Sequence, residues 1–321
     1  MPILPASDYR PHPLLRHGHA NTILSALIRK VTDTPYQRER IDTPDGDFLD
    51  LDWSRKGGEH LLIVCHGLEG NAGRPYVRGL IRAANDQGWD GVGLNFRGCS
   101  GEDNRQLRTY HMGETGDLHL VIQYALRQKN YHSVHLAGFS LGGNVVMMYL
   151  SRDADQVPDR VRSGVAYSVP CDIPSANQEI VRWQNTIYVN RFMRTLNQKM
   201  MEKVRQYPDQ FTEPAPRSTS FVTFDDYFTA PVHGFEDARD YWVSSSSKPY
   251  LTQLQRPAMM INALDDSFLS NECYPRAEAS DSDIFHLLTP NWGGHVGFLD
   301  FGRRHLWSEV RGMEFMADHA P

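Results

Sequence analysis

The chain has 321 residues, 40% hydrophobic and 22% charged, a globular balance that excludes extended disorder and supplies a sizeable core. A formal net charge of -6 offers no basic field for a phosphate backbone and so argues against nucleic acid as a partner. Cys65, Cys99, Cys171 and Cys273 are widely spaced with no CxxC pair, which disfavours a zinc ribbon or a disulfide framework and favours a reducing compartment.

The N-terminal stretch MPILPASDYRPHPLLRHGHAN lacks the apolar core and cleavage site of a signal peptide. No run approaches the roughly 18 apolar residues of a membrane span, so a soluble, cytoplasmic protein without stable membrane insertion is expected. RERIDTPDGDFLDLDWS then reads as two strands around the turn Pro44-Asp45-Gly46-Asp47. Phe48, Asp50 and Asp52 alternate with Leu49, Leu51 and Trp53 as an antiparallel edge hairpin requires.

Apolar runs and helical segments alternate from about residue 60. LLIVC (61–65), GVGLNF (91–96), VHLAGF (134–139) and GVAYSVP (164–170) are predicted strands. RPYVRGLIRAANDQG, residues 116–128 and GGNVVMMYLSRD are the intervening helices, and the alternation implies a mostly parallel α/β sheet with helices on both faces. The pattern breaks over 173–247, with a helical segment NTIYVNRFMRTLNQKMMEKVRQ followed by the Pro- and aromatic-containing TEPAPRSTSFVTFDDYFTAPVHGFEDARDYW. It returns at PAMMINAL (257–264), IFHLL (284–288) and the terminal helix RRHLWSEVRGMEFMADH. One domain spanning 1–321, with 173–247 inserted as a cap before the strand PAMMINAL, is expected.

Four loops at strand ends carry the chemistry. GFSLG places Ser140 between a predicted strand and helix, where flanking glycines permit a turn tight enough to thrust the hydroxyl outward. The helix that follows aims its N-terminal amides at the charge developing on an attacked carbonyl. CHGLEG, residues 65–70, supplies a second backbone donor, so the Leu68 and Leu141 amides are the candidate oxyanion hole; His66 is expected to shape its loop rather than act chemically. PNWGGHVGF holds His295 among glycines after the last strand, a position from which a general base can reach the serine. INALDDSFL ends a strand in Asp265 and Asp266, either of which can orient the imidazole. The spacing from Asp266 to Leu269 favours Asp266, leaving Asp265 as a solvated or turn-capping residue.

Other polar residues are expected to be structural. Arg97, Gly98 and Cys99 follow a core strand, and Cys99 lacks a base partner. His17 and His19 have no further ligands spaced to complete a metal site. His111, Glu114 and Asp117 read as loop and helix-cap residues. Phe192, Leu196, Met200 and Val204 recur at four-residue steps with Arg194, Lys199, Lys203 and Arg205 elsewhere around the helix. Met and aromatic side chains of this segment are candidates for lining an acyl pocket, and its aromatic content makes it a candidate homodimer surface.

With GHANTIL, DTPDGDFLDLDW, HGLEG, NFRGCSGEDNR, YHMGETGDL, GFSLGGN, FDDYFTAPVHGF, SSSSKPYL, NALDD and GGHVGFL in place, the chain resembles the YheT-like esterases of the α/β-hydrolase superfamily. Eukaryotic relatives of that family include membrane-anchored lipases and alcohol acyltransferases. The resemblance implies an α/β-hydrolase fold and a triad of Ser140, an aspartate of NALDD and His295. Ser267 stands where the family often has proline, and Asn71 and Ala72 where it often has serine. The expected function is hydrolysis of small-molecule carboxylic esters without cofactor or metal. Acyl transfer to an alcohol on the same triad, or a non-catalytic module holding an apolar ligand, are the alternatives.

Overall fold

The turn at Thr43–Asp47 starts the sheet: the Thr43 amide donates to the Asp47 carbonyl (3.0 Å), and Gly46 takes a φ of 80° that disfavours any side chain there. In the computed structural model, which describes residues 8–321, the helix α1 (Gly18–Ile28) precedes the strands β1 (Gln37–Asp42) and β2 (Phe48–Ser54), which pair antiparallel. The polar side of β2 is covered rather than solvated. Asp50 and Asp52 are buried and accept pairs of hydrogen bonds from Arg40 and Arg38 of β1.

The remaining strands are β3 (His60–Cys65), β4 (Asp90–Asn95), β5 (Ser133–Phe139), β6 (Val161–Tyr167), β7 (Ala258–Ile261) and β8 (Phe285–Leu288). The spatial order is β1-β2-β4-β3-β5-β6-β7-β8, parallel from β4 to β8. The central strands read as apolar runs because both of their faces are covered. Leu61 and Ile63 join a core that includes Leu118, Val121 and Ile122 of α3 (Gly116–Gln128) and Val145 and Val146 of α4 (Leu141–Ser151). Leu62 and Val64 face the opposite way, into a core shared with Val77, Leu80 and Ile81 of α2 (Pro75–Asp86) and Met313 of the C-terminal helix.

The topology also positions the chemistry. From β3 the chain moves outward to β4, then returns across β3 to form β5, so the loops after β3 and β5 diverge from neighbouring strand ends, with Cys65 opposite Gly138. Such a reversal opens a crevice at the carboxyl edge of a parallel sheet. HGLEG and GFSLG meet there: a Cβ added to Gly67 would lie 3.3 Å from the Ser140 Cβ.

Between β6 and β7 the chain leaves the sheet for α5 (Ile173–Ile180), α6 (Thr186–Gln206), α7 (Phe221–Phe224), a π-helical turn (Asp225–Thr229), α8 (Ala230–His233) and α9 (Ala238–Ser245). The segment from 221 to 245, expected only as Pro- and aromatic-containing, is thus mostly helical. Its pieces are short but well terminated: Ser220 and Asp237 accept from the Thr223 and Asp240 amides, and Gly234 ends α8 at a φ of 79°. Phe221, Phe224 and Phe228 form a small core with Val189, Met193, Leu196 and Met200 of α6. Two cations expected on the polar side of α6 turn inward instead. Lys203 is 3% exposed and donates to the Asn104 and Gln106 carbonyls, while Lys199 reaches Glu69 (2.8 Å), because long stems let lysine bury carbon and carry its ammonium to distant acceptors. After β7 come α10 (Arg276–Ser280), β8 and α11 (Trp307–Ala317). Among the described residues no helix is long and apolar enough to cross a membrane.

Candidate active site

Ser140 ends β5 and caps α4 with φ 53° and ψ -118°, a backbone conformation that costs free energy outside glycine. Its neighbours make the turn possible. A Cβ on Gly138 would fall 2.1 Å from the Gly142 carbonyl oxygen, and one on Gly142 would fall 2.4 Å from that of His66. The Ser140 amide donates to the Tyr167 carbonyl (2.8 Å), which fixes the turn against β6 and leaves the hydroxyl at the edge of the crevice.

The structure brings the expected histidine and one aspartate to this hydroxyl. His295 Nε2 lies 2.9 Å from Ser140 Oγ, and His295 Nδ1 lies 2.9 Å from Asp266 Oδ2. The Asp266 side chain is fully buried and that of His295 is 11% exposed. Phe268 stacks on the imidazole at 4.2 Å between centroids, restricting the ring to the plane of the relay. Asp266 Oδ1 accepts the Phe268 amide (3.0 Å), and the Ser267 hydroxyl and carbonyl bond to Asn185 at the start of α6.

Asp265 has a different place. Its Oδ1 accepts the Gly294 amide (2.8 Å), and among the described residues its buried Oδ2 has no partner. Burial pushes its carboxyl up to about 6, against the opposing pull of the Gly294 amide. Rather than being solvated, Asp265 anchors the backbone beside His295.

The histidine loop is also held by residues that the sequence did not single out. The His295 amide donates to Thr22 Oγ1 (2.8 Å), the Leu299 amide to Asn21 Oδ1 (2.9 Å) and the Val296 amide to Ser168 Oγ (2.9 Å). Val296 and Phe298 adopt φ of 59° and 45°, so these bonds offset a strained path. Asn21 and Thr22 belong to α1, within GHANTIL, a string that carried the family resemblance without showing what its polar residues hold.

Leu68 and Leu141 line the space beside Ser140, and neither amide has an acceptor among the described residues. His66 is occupied elsewhere: Nδ1 donates to the Gly67 carbonyl (2.7 Å), Nε2 accepts from the Phe96 amide (3.2 Å), and burial pushes it down to about 3. It is therefore neutral and shapes its loop. The Cys99 thiol is buried and pushed up to about 11, which leaves it inert. Arg97 is engaged by Asp117, Asp45 and Asp47, and Glu114 accepts from the first amides of α3. His19 pairs with Tyr188.

Two cavities meet at Ser140, His295, Leu68, Glu69 and Phe192. The first encloses about 1170 Å³ including its solvent-open mouth and runs beneath the segment between β6 and β7, among Ile173, Leu196, Phe221, Phe224 and Phe228. Phenylalanines rather than methionines of that segment supply this wall; the one lining methionine, Met112, lies outside it. The second, about 1140 Å³ on the same measure, extends between α1, the HGLEG loop and α6.

Residues 60–300 match the family described as "alpha/beta hydrolase fold". The chain belongs to the α/β-hydrolase family. This hydrolase is 35% identical over 316 residues to YheT of Escherichia coli (strain K12), covering 95% of this chain and 92% of that protein, which places it with the YheT-like members. It is 26% identical over 309 residues to human phospholipase ABHD3, covering 91% of this chain and 74% of that protein. Among solved structures it is similar to an esterase of Pyrococcus furiosus at a TM-score of 0.61 and 16% identity, covering 91% and 97% of the two chains; that likeness concerns the fold.

Proposed function

We propose that this hydrolase cleaves carboxylic esters through an acyl-enzyme on Ser140. The observation that carries the reading is the continuous relay from Asp266 through His295 to Ser140, with both contacts at 2.9 Å. Ser140 Oγ attacks the carbonyl carbon as its proton passes to His295 Nε2, and Asp266 stabilises the resulting imidazolium through Nδ1–H. The Leu68 and Leu141 amides donate hydrogen bonds to the charge formed on the carbonyl oxygen, each contributing about 3 kcal/mol to the transition state. Collapse of the tetrahedral species transfers the Nε2 proton to the leaving alkoxide. Water, deprotonated by the same nitrogen, then releases the carboxylic acid and regenerates Ser140. Residues 173–247 act as a cap whose phenylalanine-lined cavity takes the acyl chain.

A fluorophosphonate probe and a series of p-nitrophenyl esters test the reading together. The expected results are a mass increase confined to Ser140 and turnover that falls by about 10³-fold or more in Ser140→Ala. An unlabelled Ser140 in folded protein, or ester turnover that survives Ser140→Ala, overturns it.

A further inference from the structure

Resting on the ester-hydrolase reading, we infer that the second cavity binds an anionic group, a phosphate or carboxylate, carried by the leaving alcohol. An ester held at Ser140 has two ends, and the two cavities that share Ser140 and His295 differ in how their cations are engaged: Arg97, Lys199 and Lys203 of the first are bonded to Asp117, Glu69 and backbone carbonyls. The phenylalanine-lined cavity beneath the cap suits an acyl chain. The other is lined by Arg29, Arg74, Arg191 and Arg194, with Glu69 as its single carboxylate.

The charges in that wall are unevenly matched. Arg29 pairs with Glu309, and Glu69 is engaged by Lys199 and by the Tyr110 hydroxyl. Arg74 donates one hydrogen bond, to the Glu69 carbonyl (3.0 Å), and has no carboxylate partner among the described residues. Arg191 and Arg194, three residues apart on α6 and therefore on one side of it, make no ion pair or hydrogen bond among the described residues. A chain of net charge -6 thus places three guanidiniums that lack a carboxylate partner among the described residues, two of them exposed, in a cavity that Ser140 also lines, and guanidinium forks match the geometry of oxyanions. With the acyl chain in the first cavity and the carbonyl oxygen at the Leu68 and Leu141 amides, the second cavity is left for the alcohol.

The test compares octanoyl esters of glycerol, glycerol 3-phosphate and glycerate in the wild-type enzyme and in the double variant Arg191→Gln/Arg194→Gln. Wild type is expected to favour the phosphate or carboxylate ester over the neutral one by about tenfold or more in kcat/KM, with the advantage shrinking between about 0.05 and 0.5 M salt. The phosphate and carboxylate arms show which oxyanion fits. The double variant is expected to lose the preference mainly through KM. An equal or lower kcat/KM for both anionic esters in wild type, or a preference that persists undiminished in the double variant, overturns the inference. Protection gives a second readout independent of turnover: glycerol 3-phosphate should slow fluorophosphonate labelling of Ser140 in wild type and not in the variant, and absence of protection in wild type also overturns it. If Ser140 fails to label at all, the hydrolase reading falls and takes this inference with it. Labelling without any charge preference removes this inference alone.

Discussion

Two adjacent carboxylates, Asp265 and Asp266, differ by one residue in sequence and by a whole function in space. Asp266 faces His295 Nδ1, whereas Asp265 faces the Gly294 amide. The substitutions should therefore separate cleanly. Asp266→Asn presents an amide to Nδ1, favours the wrong tautomer and is expected to lower kcat by about 10⁴-fold. Asp265→Asn keeps an oxygen that can accept from Gly294, so the loop stays in place and kcat is expected to fall by less than about tenfold. Comparing kcat for the two variants on one p-nitrophenyl ester checks the assignment; equal losses would contradict it. Ser140 and His295 were legible because the strand-turn-helix context and the glycines around each announce an exposed, tightly turned side chain. The anchors Thr22, Asn21 and Ser168 were not, since a hydroxyl or amide that holds a distant backbone loop carries no local pattern.

At the level of elements, legibility follows the source of stability. β3 to β6 are buried on both faces and so read as apolar runs, and α3 spans Gly116–Gln128, the stretch expected to be helical between two strands. The pieces from α7 to α9 are four to eight residues long, too short for helix propensity to decide, and are held by packing and end-capping hydrogen bonds. One of those fastenings titrates. Asp225, in the π-helical turn, accepts from Thr229 Oγ1 (2.6 Å) and from Trp242 Nε1 of α9 (2.7 Å) and has no ion-pair partner among the described residues. Burial pushes its carboxyl from 3.8 to about 7, with Asp226 adding in the same direction. Because the folded value lies above the unfolded one, the folded chain keeps a proton that the unfolded chain has released. Stability is therefore lost as pH rises from about 4 through 7, and is flat above that range. Asp225→Asn cannot ionise, so relative to it the wild type should lose about 1 kcal/mol per pH unit between pH 5 and 7. Urea midpoints of both proteins at pH 5, 6, 7 and 8 check this; a difference independent of pH would refute the assignment.

Across the whole molecule, loops distant in sequence converge because the strand order reverses at β3, and that convergence depends on the edge hairpin being fixed to the rest. Arg97, at the end of β4, makes the connection. It donates two hydrogen bonds to Asp117 of α3 (2.8 Å each), and one each to Asp45 (2.7 Å) and Asp47 (3.1 Å) of the β1–β2 turn, with its side chain 2% exposed. Burial works against the guanidinium charge, but Asp117 and Asp45 outweigh it and hold the group ionised. Alanine at 97 would leave Asp47 and Asp117 buried without their cation, so Arg97→Ala is expected to cost about 3–5 kcal/mol in urea unfolding. Asp117→Ala alone leaves Arg97 two aspartates and should cost less. The double variant distinguishes lost pairing from lost packing: if the cost of Arg97→Ala is mainly a stranded carboxylate, removing Asp117 as well should bring the sum down by about 1–3 kcal/mol from additivity. Strict additivity would mean that the stems of these residues, rather than their charges, join the hairpin to α3.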